Sequence, residues 1–80
     1  MISLDNLCNN FNKVTVNYAS FYFSYKTIVA FAVYQKFYVS ENIWSRTTGK
    51  HLNMLCEKKE RINHSEFKKI LETILNNIWM

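Results

Sequence analysis

The sequence predicts an α+β domain: a short N-terminal helix, a three- to four-stranded antiparallel meander, and two C-terminal helices packed on one sheet face. Two observations carry this. Between Lys13 and Ser40 the chain is dense in aromatic and β-branched residues, which alternate with polar ones over short runs separated by very short connections. From Phe67 onward the apolar residues instead recur at helical spacing, with Lys68, Lys69, Glu72 and Asn76 opposite them.

Near the N-terminus, Leu4, Leu7, Cys8 and Phe11 stand at i, i+3, i+4 and i+7, one stripe of a helix with Ser3 as its cap. Asn6, Asn9 and Asn10 in the same stretch work against it, because asparagine is a poor helix former. Lys13 to Tyr18 alternates and predicts a half-buried strand. Phe21 to Tyr25 predicts a second. Thr27 to Tyr34 is apolar on both sides, as expected of a strand inside a sheet. Phe37 to Ser40 is a fourth strand, with a further reach to Ile43.

Ser45-Arg46-Thr47-Thr48 offers several helix caps in a row, Thr47 or Thr48 foremost, and Lys50 to Glu60 then predicts a helix with Leu52, Leu55 and Cys56 as a narrow apolar stripe. Asn63 or Ser65 caps the last helix, whose stripe is Phe67, Ile70, Leu71, Ile74, Leu75 and Ile78, extended by Trp79.

The totals bound the function. The 80 residues make one small domain, read here as residues 1–80. A chain of this size buries only roughly 60% of its unfolded surface, so its core is marginal. Apolar residues make up 49% and aromatics 16%, enough for a packed core. The net charge is +4 and the sequence pI about 9.2. The excess lies in the helical half, where Arg46, Lys50, Lys58, Lys59, Arg61, Lys68 and Lys69 face four glutamates. Nucleic acid is therefore one candidate partner. Two cysteines are too few for a disulfide scaffold and predict buried thiols. Neither a leader segment nor an apolar run long enough to span a membrane is read, so a cytoplasmic protein without membrane contact is expected.

Several chemistries find no support. Thr47-Thr-Gly-Lys-His51 resembles a phosphate loop only superficially: that loop needs a glycine at the position held by Trp44 and a Ser or Thr at the position held by His51. The expected role of this stretch is a helix N-terminus, with an anion site near Arg46 and Lys50 as the alternative. His51 and Cys56 are five apart, which turns them to different sides of a helix, and His64 has no partner at ligand spacing. No catalytic residue, metal site or cofactor is expected, and the protein is read as non-enzymatic. Tyr22, Tyr34 and Tyr38 have three readings: rings in the core with wet hydroxyls, anchors of a protein interface, or stacking surfaces for bases. Trp44 is expected to sit between the sheet and the following helix.

Phe21-Tyr-Phe-Ser-Tyr-Lys-Thr-Ile-Val-Ala-Phe31, followed by Ser40-Glu-Asn-Ile-Trp-Ser-Arg-Thr-Thr-Gly-Lys-His-Leu-Asn53, resembles a family of small proteins encoded by bacteriophages and related mobile elements. The resemblance implies a phage or prophage origin. By analogy it implies an accessory protein that binds and inhibits a host factor, in its sharpest form an inhibitor of an anti-phage defence system such as an anti-CRISPR protein. The expected partner is then a host protein or nucleoprotein complex. It would be contacted through Tyr22, Tyr34, Tyr38 and Trp44; because the helices of so short a chain are expected to cover only one face of the sheet, the opposite face, with Tyr22, Tyr34 or Tyr38, is also open to homodimerisation. The alternative is a nucleic-acid-binding module using Arg46, Lys50, Lys58, Lys59 and Arg61.

Overall fold

A computed structural model describes residues 2–78, with side chains through residue 77. Five strands form one antiparallel sheet in simple sequence order: β1 (Ile2–Cys8), β2 (Phe11–Val16), β3 (Ala19–Ser24), β4 (Thr27–Val33) and β5 (Lys36–Val39). Helix α1 (Arg46–Asn53), a 3₁₀ turn at Lys58–Glu60 and helix α2 (His64–Ile78) follow.

This corrects the expected architecture on three counts. The first element is a strand, not a helix. The helical spacing of Leu4, Leu7, Cys8 and Phe11 competes with an equally good hairpin, and the asparagines decide between them. Asn9 and Asn10 make the two-residue turn into β2, with Asn10 at φ 62, a left-handed conformation that asparagine tolerates. Asn6 Nδ2 donates to Asn12 Oδ1 at 2.8 Å across the resulting pair. Ile2 and Leu4 lie opposite Val16 and Val14, so period two, not 3.6, organises the segment. The sheet thus has five strands where three to four are expected.

The second correction concerns the helix expected over residues 50–60. It starts earlier and ends earlier. Ser45 is the cap, its Oγ accepting from Thr48 N at 3.2 Å, so Gly49 falls inside the helix. The chain leaves the helix after Asn53, and the charge-rich segment Glu57–Arg61 forms only a 3₁₀ turn. Of the two caps considered for the last helix, Asn63 serves, with Oδ1 accepting from Glu66 N at 3.2 Å. The expected extension of its stripe to Ile78 and Trp79 lies outside the described side chains.

The third correction is the placement of the helices. Successive residues of a strand point to opposite faces. Phe21, Phe31 and Val33 pack with Phe67, Ile70, Leu71, Ile74 and Leu75 of α2. Ala30 and Val39, together with Val29 and Phe11, pack with Leu52 of α1. The two helices therefore cover opposite faces. This is the physical reason that β4 is apolar on both sides: Phe31 serves one core and Ala30 the other, and both are fully buried.

The two edges of the sheet differ. At the end of β5 a single backbone bridge caps the outer edge: Ile62 N donates to Val39 O at 2.9 Å, and Glu41 N donates to Ile62 O at 2.8 Å. Among the described residues the outer edge of β1 carries no such bridge, and Ile2 and Leu4 are more than two-thirds exposed.

Candidate anion-binding groove

The segment Ser45–Asn53 divides its side chains between two tasks. On the inner side of α1, Thr48, His51 and Leu52 are buried. His51 Nδ1 lies 2.7 Å from Ser24 Oγ, and the same Ser24 Oγ lies 2.9 Å from Thr48 Oγ1. The His51 ring stacks on Phe11 at 4.7 Å between centroids and 3° between planes. These contacts key α1 to the sheet. A second Ser–His pair keys α2: Ser40 Oγ lies 3.1 Å from His64 Nδ1, and Glu41 Oε2 accepts from His64 N at 2.9 Å. Both serines are buried, so each pair works in packing, not as an accessible nucleophile. Among the described residues, no group of three or more His, Cys, Asp or Glu side chains is placed to share a metal ion.

The outer side of α1 presents Arg46, Gly49, Lys50 and Asn53, spaced i, i+3, i+4 and i+7 along one face. This face lines one wall of a groove of about 640 Å³. Lys58, Arg61, Ile62 and Asn63 line the opposing wall, with Glu41 and Asn42 at its end. The geometry depends on Gly49, because a Cβ there would come within 2.9 Å of Asn42 Nδ2. Asn42 cannot withdraw freely: its Nδ2 donates to Ser45 O at 2.9 Å and its Oδ1 accepts from Trp44 N at 3.0 Å. Arg61 Nη2 donates to Asn53 Oδ1 at 2.7 Å and, less directly, to Cys56 O at 3.4 Å. Its Nε is buried without a partner among the described residues. Four cations thus meet in one groove against a single acid, and that acid is engaged at the N-terminus of α2, where a carboxylate complements the helix dipole.

The structure separates the site residues expected from sequence. Of the basic set, Arg46, Lys50, Lys58 and Arg61 converge in the groove, whereas Lys59 points away and pairs with Glu57 at 3.4 Å on the exposed surface. Tyr22, Tyr34 and Tyr38 do not form one surface. Tyr22 lies on the α1 side of the sheet, half-buried, edge-on to Phe37 at 5.6 Å and beneath Lys13 Nζ at 5.8 Å. Tyr38 lies on the α2 side, stacked on Phe31 at 5.0 Å. Tyr34 occupies the β4–β5 turn, 80% exposed and stacked on Tyr18 of the β2–β3 turn at 5.0 Å. Trp44 is half-buried, packs against the core on the α1 side, and meets His64 edge-on at 5.3 Å.

Sequence reasoning missed Asn42, Gly49, Asn53 and Asn63 as groove residues. A signal for two of them, Gly49 and Asn53, existed. With Ser45, the first of the offered caps, starting the helix, the spacing of Arg46, Gly49, Lys50 and Asn53 places all four on one helix face. Ser24 and Ser40 as partners of the histidines had no comparable signal, since a serine in a strand is equally at home facing water.

The model of a family of unknown function, DUF8033, matches residues 2–72. That span is most of the chain, and the chain belongs to this family. No curated protein and no solved structure matches it.

Proposed function

We propose that this member of the DUF8033 family is a non-enzymatic binding protein that takes the phosphate backbone of a nucleic acid in the groove between α1 and Lys58–Asn63. The convergence of Arg46, Lys50, Lys58 and Arg61 on one groove carries this reading. Phosphate contacts of this kind supply most of the sequence-independent affinity of nucleic-acid binding. Arg61 adds geometry to charge. Asn53 fixes its guanidinium from one side, so less side-chain freedom is lost when an anion binds. The buried Nε without a partner favours a ligand that brings an acceptor.

The wider role supported by the motif resemblance is that of a phage-encoded inhibitor of a host defence component working in the host cytoplasm. The groove suits that role when the target is a nucleoprotein complex, whose exposed phosphates it could occupy. No helix among the described residues is long and apolar enough to cross a membrane.

Fluorescence anisotropy with labelled oligonucleotides tests the groove. Affinity should fall with salt along a log–log slope of about −3, the value for four contacts at about −0.7 each on a single strand. Arg46→Glu with Lys50→Glu should abolish binding, while Lys59→Glu, outside the groove, should leave most of it. Equal losses from the two variants, or no binding at low salt, would remove this reading.

A further inference from the structure

A second concavity, of about 370 Å³, opens between α2 and the β3–β4 hairpin. Its walls include the rings of Phe23, Trp44, His64 and Phe67, and Lys26 and Lys68 stand at it with no acid among its lining residues. The His64 ring is held in place, edge-on to Trp44 and with Nδ1 at Ser40 Oγ. The cleft and the basic groove flank the same two segments of chain. Asn42 and Arg46 line the groove, while Trp44 between them lines the cleft. Asn63 lines the groove, while His64 beside it lines the cleft. Together the two concavities collect six of the protein's ten Lys and Arg residues around one set of aromatic rings.

We infer that the cleft receives an unpaired base of a single-stranded nucleic acid whose backbone lies in the groove. This rests on the groove reading and narrows it to single strands. The chemistry is that of a stacking platform inside a cationic track: every base has a π-face that an aromatic ring can cover, and the lysines hold the flanking phosphates. A duplex can offer phosphates to the groove, but its bases are stacked and paired and cannot enter the cleft. The Tyr18–Tyr34 pair does not serve the same purpose, because those rings already cover each other and sit at the opposite end of the sheet.

The test uses the full chain carrying Trp79→Phe, so that Trp44 is the sole indole. Three probes are compared at low salt: oligo(dT), an abasic oligomer of the same length, and a blunt-ended duplex. Oligo(dT) should bind about tenfold or more tighter than the abasic oligomer, and it alone should quench Trp44 emission. Trp44→Leu, which keeps an apolar side chain but removes the aromatic face, should erase the preference for bases while retaining abasic binding. The emission measurement needs no substitution in the cleft, so it decides the matter even where that variant folds poorly. Equal affinity for all three probes with unchanged Trp44 emission would overturn the base cleft and leave the groove standing. Failure of all three probes to bind would overturn the groove reading and the cleft with it.

Discussion

Asn53 Oδ1 accepts a hydrogen bond from Arg61 Nη2 at 2.7 Å, tying the end of α1 to the segment whose next residue, Ile62, bridges to the end of β5. The bond crosses between the two walls of the groove. It joins a residue whose position is set by helix packing to one whose position is set by pairing with the sheet. The first prediction follows from it. Asn53→Ala should cost only about 0.5–1 kcal/mol of stability, as for an ordinary hydrogen bond between partly exposed groups. It should nonetheless weaken anion binding several-fold, because Arg61 would be free to leave its place. Chemical denaturation alongside anisotropy checks the split: a loss of stability without a loss of affinity would show that the bond is merely structural.

The second prediction concerns Ser24 and His51. Ser24→Ala leaves the buried His51 Nδ1 without its nearest partner, and should cost about 1–3 kcal/mol. His51→Phe keeps a ring against Phe11 but leaves Ser24 with Thr48 alone. The two substitutions share one hydrogen bond, so their effects should not add. A double-mutant cycle by urea denaturation should give a coupling energy of about 0.5 kcal/mol or more. Strict additivity would mean that the pair does not key α1 to the sheet.

The third prediction uses the turns. Asn17 and Tyr25 both adopt left-handed backbone conformations, at φ 55 and 58. Asparagine suits that region and tyrosine does not. Asn17→Ala should therefore destabilise by about 1 kcal/mol, and Tyr25→Asn should raise the melting temperature. A Tyr25→Asn protein that melts lower would show that the ring, 6.1 Å from His51, contributes more than its backbone conformation costs.

Much of the sheet was legible because alternation is a direct imprint of its geometry. Strands were expected over residues 13–18, 21–25, 27–34 and 37–40, where β2 to β5 stand within a few residues. The first strand was not legible, because Leu4, Leu7, Cys8 and Phe11 satisfy two periods at once and only the tolerance of Asn10 for positive φ separates them. The groove was half legible. Its cations follow from composition, but which of them converge depends on where α1 begins, and that is set by one hydroxyl on Ser45. The aromatic set divides for a geometric reason: Tyr22 and Tyr38 stand on separate strands, and register puts them on opposite faces, Tyr22 opposite Ala30 and Tyr38 opposite Phe31.

Each of the four connections between neighbouring strands is two residues long. The consequence is kinetic. Every hairpin can close from residues adjacent in sequence, so little chain entropy is lost before the first pairings form, and the sheet can zip from any of its four turns. The exception is the pairing of Ile62 with β5, which spans a loop of more than twenty residues and brings α1 and the groove with it. A fast phase that builds the meander, followed by a slower step that docks Ile62 and completes the groove, is the order in which chain entropy favours assembly.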